Sequence, residues 1–511
     1  MHLIRRPLVL LFLGIALCAV VATYGDEPAP AATTPARDQS EKITLNDAIL
    51  RALAKNFSIK VSSFNAAIAD ARFTEALGKF DPVLTGQYTH ADGESPQLRN
   101  ALTGVRPADT LTESDTYQFG LNGLLPWGLT YSLGATSTNS RGTFNLFADN
   151  YSTFAGVSGT QPLLRNGGFG PTLASIRIAQ TNRTISEWQF KQDVIDTITR
   201  VIFVYNDLIF AQANLRSAHR AHELAATLLG ENEKRHKIGS MSAYDVTSAR
   251  SRLANREEGI LFAERLVRDT ENNLKALISD DHTAGLLTWR LAIDPPPPAP
   301  LVVVDPAVDF REALRKRPDY QQARLNLKRS DINFRLQRNQ LLPRVDLVGS
   351  YGYSGYDTDF GISRQMVRDQ DHRSYSWGAV VSIPLTYTTE RGRYRAAKLQ
   401  LRQADANLQS IEQQIVVAVG NSAGQIETAH KRVDAAKFAR ELGQQALDAE
   451  VRRLRAGTGS TFFVLQQQEI LTGLEVSELR AQSDYQKALA DYDRQLGVTL
   501  EKLNVNITAM K

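Results

Sequence analysis

Between residues 172 and 238, apolar residues recur at Ile195, Ile198, Ile202, Tyr205 and Ile209, and the spacing of three and four predicts a helix with a near-heptad seam. No proline or glycine interrupts this stretch before Gly230. At about 1.5 Å per residue such a helix runs on the order of 100 Å. A second long pattern covers 391–456, with a seam of smaller residues at Ile411, Ile415, Ala418, Ser422, Gln425 and Ala429. Helical sequence returns after each, over 243–278 and 461–496, the latter with a stripe of Tyr485, Leu489, Tyr492 and Leu496. Shorter helices are predicted over 45–77, where Thr44 and Asn46 are candidate caps, and over 308–340.

The other pattern has a period of two. Tyr375, Trp377, Ala379, Val381 and Ile383 share one face, while Ser374, Ser376, Gly378 and Ser382 share the other, which predicts a strand over 374–385. A strand over 345–353 places Leu347, Tyr351 and Tyr353 together, and a weaker pair is predicted over 83–90 and 151–161. Between the weaker pair lie a polar loop and an extra hairpin over 117–134, turning at Pro126-Trp127-Gly128. One wet and one aromatic face also suits a soluble sandwich. Helices too long for a compact domain favour a wall with one face toward lipid.

These elements occur twice in the same order. Ala52-Leu53 leads to Pro82 as Ala313-Leu314 leads to Pro343, and Thr160-Gln161-Pro162-Leu163 is answered by Ser382-Ile383-Pro384-Leu385. The long helical patterns break at Gly239 and Gly457, with Ser242 and Ser460 three residues on. Such a duplication is expected of an assembly. The boundaries follow as an Ala/Pro-rich linker over 23–42, a first repeat over 43–280, a Pro-rich linker over 281–306, a second repeat over 307–498 and a tail over 499–511. Four principal strands cannot close a barrel, and an open edge cannot stand in lipid, so three chains giving about twelve strands are expected.

Composition adds a compartment. Arg5 and Arg6 precede an apolar run from Leu8 to Ala22, which predicts a secretory leader over 1–22 in this chain of 511 residues. The single cysteine, Cys18, lies inside that leader and follows Leu17 rather than a small residue, which argues against lipidation. The mature chain has no thiol for a disulfide or a metal. With 59 Lys and Arg against 55 Asp and Glu, the charge balance points to no nucleic-acid partner. No apolar run after the leader reaches the length of a membrane helix, so any membrane span is made by strands.

The duplicated arrangement resembles the TolC-like outer membrane efflux proteins of tripartite efflux and type I secretion systems. The resemblance rests on Leu45, Ala48, Ala52-Leu53, Phe80-Asp81-Pro82, Gln161-Pro162-Leu163, the string 313–319 with Arg317-Pro318-Asp319, Leu342-Pro343, Ile383-Pro384-Leu385 and the two Gly-x-x-Ser turns. It implies a mixed α and β membrane protein, a homotrimer with a 12-stranded β-barrel in the outer membrane of a Gram-negative-type cell and a long α-helical barrel in the periplasm. It also implies a passive channel, without catalysis or a cofactor, that works with a periplasmic adaptor and an energised inner-membrane transporter to export small molecules or proteins. A strand-anchored coiled-coil tether or adhesin is the alternative; the matched strand hairpins count against it.

The resemblance places adaptor contact at the two tips, Gly239 to Ser242 and Gly457 to Ser460. Both are basic, with Lys234, Arg235 and Lys237 before one and Arg452, Arg453 and Arg455 before the other. These charges suit either the helix C-terminal dipole or a cationic ring facing an acidic adaptor. Family members constrict the entrance with acidic rings and polar links near these turns. Asp245 matches the family's aspartate after the first tip, whereas Gly459 stands in place of a linking arginine, and Phe463 and Gln466 in place of aspartates. Phe463 is either an apolar constriction or core against a neighbouring helix. His219 and His222, three apart on a helix, lack a third ligand nearby in sequence. Gly167-Gly168-Phe169-Gly170 lacks the lysine of a phosphate loop and reads as a strand-to-helix turn.

Overall fold

The computed structural model describes residues 41–99, 102–293 and 305–506. The leader with Cys18, most of the first linker, the run from Pro295 to Pro298 and the end of the tail lie outside the described residues. The first copy contains β1 (Glu41–Ile43), α1 (Leu45–Lys55), α2 (Phe57–Leu77), β2 (Val83–Ser95), β3 (Thr110–Leu124), β4 (Thr130–Gly142), β5 (Tyr151–Pro162), α3 (Phe169–Thr172), α4 (Ala174–Lys237), α5 (Ala243–Ile278), α6 (Gly285–Thr288) and β6 (Leu291–Ile293). The second contains α7 (Pro306–Lys316), α8 (Pro318–Asn339), β7 (Arg344–Asp357), α9 (Phe360–Asp369), β8 (Arg373–Ser382), α10 (Thr388–Arg455), α11 (Thr461–Leu496) and α12 (Thr499–Lys502).

The helices expected over 45–77 and 308–340 are each broken at the same point of the repeat. Asn56 (φ −63°, ψ 127°) and Arg317 (φ −64°, ψ 125°) take the same extended backbone. Different chemistry produces it. Asn56 caps α2 by accepting from the Ser58 and Ile59 amides at 2.8 and 3.3 Å. Arg317 is forced out of the helical region by Pro318, which opens α8. At the start of α1, Thr44 and Asp47 form a reciprocal capping box.

The long helices α4 and α10 span 64 and 68 residues, about 100 Å each. In α4 the expected seam is buried at Ile195, Ile198 and Tyr205. In α10 the seam runs through Ile415, Val419, Ser422, Ile426 and Ala429, so Val419 and Ile426 replace the expected Ala418 and Gln425. The alternation of four and three keeps the larger side chains inward.

The span 281–306 is only partly a linker. Strand β6 pairs parallel with β1, Glu41 opposite Leu291 and Ile43 opposite Ile293. Leu291 joins the core of Ile43, Ala52, Leu53, Ile195, Ile198 and Tyr205, and Trp289 and Ile293 pack against it. The Tyr205 hydroxyl donates to the Ile43 carbonyl at 3.0 Å, fastening β1 to α4. Beneath β6, Glu271 and Lys275 form an ion pair at 3.1 Å with side chains only 5% and 2% exposed. Glu271 also accepts the Leu291 amide at 2.7 Å.

The four principal strands and the extra hairpin belong to one sheet. One six-stranded sheet runs in the order β2-β3-β4-β5-β7-β8, every neighbour antiparallel. The extra hairpin is longer than the predicted 117–134 and is hydrogen-bonded on both sides, Tyr88 opposite Tyr117 and Leu133 opposite Val157. Its insertion explains why the first copy uses about twice as many residues between Pro82 and Pro162 as the second uses between Pro343 and Pro384. One inserted hairpin leaves the alternation of strand direction intact.

Across the six strands the register gathers Leu84, Leu121, Leu133, Val157, Tyr351 and Tyr375 into one row of the same face. On the opposite face Thr85, Gly120, Gly134, Gly156, Gly352 and Ser374 form the adjoining polar and glycine rows. The sheet therefore has one aromatic and aliphatic side and one small, polar side. Leu84 and Trp377, 80% and 81% exposed, have nothing among the described residues to cover them. Helix α9 lies on the apolar side at the end remote from the long helices, where the buried Ser363 hydroxyl reaches Thr153 Oγ1 at 2.9 Å. Among the described residues, no helix is long and apolar enough to cross a membrane.

Candidate functional site: the helical tips and entrance

At the end of α4 the chain closes a Schellman turn. The Gly239 amide donates to the His236 carbonyl at 2.9 Å and the Ser240 amide to the Arg235 carbonyl at 2.9 Å. The end of α10 repeats it, Gly457 donating to Leu454 at 3.1 Å and Thr458 to Arg453 at 3.0 Å. Gly239 and Gly457 hold φ of 77° and 76°, a left-handed backbone that disfavours a Cβ. Gly239→Ala and Gly457→Ala are each expected to destabilise their turn by about 1–2 kcal/mol. Amide exchange at the substituted tip should accelerate about tenfold while the opposite tip is unchanged.

Serine then starts each returning helix. Ser242 accepts the Asp245 amide at 3.2 Å and donates its hydroxyl to Asp245 Oδ2 at 2.6 Å. Ser460 accepts the Phe462 amide at 3.2 Å. The first tip is steadied further by His236, whose Nδ1 lies 2.7 Å from the Met241 carbonyl oxygen.

The final turn of α4 carries Lys234, Arg235, His236 and Lys237, and that of α10 carries Arg452, Arg453 and Arg455. Arg453 pairs with Glu450 at 2.8 Å, while Arg452 is exposed. Both turns thus present cations at helix C-termini, where the exposed carbonyls favour positive charge.

The sequence pattern described as "Outer membrane efflux protein" matches residues 117–279 and 310–498. The chain belongs to the outer membrane efflux protein family. It is similar to Outer membrane efflux protein BepC of Brucella suis, 22% identical over 447 residues, which cover 86% of this chain and 82% of that one. It is also similar to Pyoverdine export outer membrane protein OpmQ of Pseudomonas putida, 25% identical over 342 residues, 62% of this chain and 65% of that one. Among solved structures, the Campylobacter jejuni CmeC outer membrane channel superposes with a TM-score of 0.65 at 16% identity, covering 89% of this chain and 86% of that chain. This efflux protein is an outer membrane exit duct, with its sheet in the membrane and its helices in the periplasm. The tether reading gives way to it.

Of the residues expected at an entrance, Asp245 is exposed, with its carboxylate engaged by Ser242. Phe463 and Gln466 lie on one exposed side of α11. Phe463 is 51% exposed, so it is not core within the chain. A Cβ on Gly459 would sit 2.7 Å from the Leu454 nitrogen, so any side chain at this position would have to displace the turn.

Sequence spacing missed the bridge between the hairpins, where the Arg252 guanidinium of α5 lies 5.5 Å from the Phe462 ring of α11. It also missed His90, Glu113 and Asp115, whose candidate ligand atoms lie within 4.8 Å of one another on β2 and β3. Arg141 already occupies that cluster, at 2.8 Å from Glu113 and 2.9 Å from Asp115, so it reads as an ion-pair network. His222 faces Glu257 at 3.6 Å rather than sharing a ligand site with His219.

Proposed function

We propose that three copies of this efflux protein form one passive duct whose basic tips, at 239–242 and 457–460, dock a periplasmic adaptor. An energised inner-membrane transporter supplies the work. The observation that carries this reading is the pairing of two basic, Schellman-closed turns at the end of the helices farthest from a sheet with an apolar face. The duct needs no nucleophile or cofactor, because its chemistry is the shape and charge of a passage. The neighbouring ring formed by Asp245, Phe463 and Gln466 is the entrance constriction.

The cationic tips predict a salt-dependent association. Arg452→Glu/Arg453→Glu is expected to weaken adaptor capture from cell envelopes about tenfold at low ionic strength, with the difference shrinking as salt rises. Capture that is unchanged at every salt concentration would remove the cationic tips from adaptor docking. Arg452→Lys/Arg453→Lys should retain capture, because charge rather than fork geometry is required.

A further inference from the structure

We propose that three chains close an eighteen-stranded wall, β8 of each chain pairing with β2 of the next, from the six strands that each chain contributes. The inference rests on the threefold duct above and changes the size of its exit. Strands β2, β5, β7 and β8 each adjoin a helix of the stalk. Strands β3 and β4 are joined along the chain only to one another at the helical end, through the turn in which the Gly128 amide donates to the Leu125 carbonyl at 2.8 Å. They are nevertheless full members of the sheet, paired from Ser95 and Thr110 at one end to Thr130 and Thr160 at the other.

The hairpin carries the two-faced pattern of a wall. Phe119 and Leu121 of β3 and Leu133 of β4 continue the apolar face, while Gln118, Asn122 and Thr136 continue the polar one. A hairpin folded into the lumen would set those large apolar side chains in water. The outer strands are also built to be paired. Strand β2 runs away from the helices and β8 returns, so rotation about a threefold axis brings them together antiparallel. Neither contains proline or lysine, the usual guards of an exposed edge.

Width supports the same closure. Twelve helices about 9 Å apart form a ring of about 17 Å axis radius. Strands about 4.8 Å apart and tilted about 40° close at a backbone radius of about 12 Å for twelve strands and about 18 Å for eighteen. The eighteen-stranded wall meets the stalk without taper. The exit then exceeds the entrance in width, which leaves selection to the tips and the transporter.

Electron cryomicroscopy of the detergent-extracted full-length protein, without imposed symmetry, is expected to show a threefold particle with eighteen wall strands. A threefold particle with twelve would overturn this inference and leave the duct standing; a solid stalk or another symmetry would overturn the duct itself. An independent readout is a spin label at Phe119→Cys in bilayers. Collision with oxygen but not with a water-soluble nickel chelate is expected on the lipid face, and the reverse would place the hairpin in the lumen.

Discussion

Glu271→Ala is expected to destabilise the folded chain by about 3–5 kcal/mol, because it leaves the Lys275 ammonium buried without its partner. Lys275 is 1% exposed and its nitrogen sits 3.1 Å from Glu271 Oε1. The same carboxylate accepts the Leu291 amide, so the substitution also loosens β6 from α5. Through β6 and β1 the damage reaches the core around Tyr205, where the first copy is tied to the long helix α4. Thermal unfolding of the extracted assembly checks the prediction. Glu271→Leu/Lys275→Met should recover most of the loss, since apolar replacement of both partners removes the desolvation cost together with the attraction. A double variant that melts as early as Glu271→Ala would show that the pair itself, and not the stranded charge, maintains this joint.

The long helices and their turns were legible because their signals are local: a recurring seam, a glycine past the helix end and a serine before the next. Neither break was foreseen: Pro318 carries a local signal that the continuous helix over 308–340 passed over, whereas Asn56 carries none, since an asparagine caps only when the chain has already turned. The six-stranded sheet was half legible. Above the rows of Tyr88 and Tyr117, strands β2 and β3 carry His90, Asp92, Glu113 and Asp115, so neither face is apolar and alternation fades. The pairing persists there because hydrogen bonding to neighbouring strands, rather than burial, maintains it. Glu271 and Lys275 were invisible for another reason. Their spacing of four is that of a solvated helix pair, and only tertiary packing of α5 against α4, with the Leu291 amide of β6 on Glu271, reveals them as buried.

The distribution of core explains where such a duct can move. Where β1 and β6 meet α4, Ile195, Ile198, Tyr205, Leu208, Leu274 and Ile278 form part of one large buried cluster. Toward the tips the cluster shrinks to Leu447, Val464 and Leu471, with Val451 and Leu454 against it. Local opening is therefore cheapest at the tips. A partner bound at the tips and preferring an open arrangement would need only to bias this low-stability end, leaving the large cluster and the sheet undisturbed.

Phe463→Asp is expected to turn an apolar entrance into one that is blocked by multivalent cations. The native ring is half exposed and meets Phe462 edge-on at 5.6 Å, while Arg252 holds Phe462 from the other hairpin. This fixes an apolar side chain one helical turn before Gln466, on the side of α11 that the described residues leave uncovered. Threefold repetition would set three such rings around the passage, and the substitution would replace them with three carboxylates. Each unit charge near another contributes about 1 kcal/mol even in water, so three carboxylates facing a trivalent cation strengthen block by more than about tenfold. Conductance across planar bilayers, measured with and without the trivalent ion, reads the effect directly, and screening by monovalent salt should reduce it. Because Phe463 is exposed, the substitution spares the buried cluster of Leu447, Val464 and Leu471, and a change in block can be separated from a loss of fold. Unchanged conductance and unchanged block would place Phe463 outside the entrance and transfer the constriction to the turns themselves.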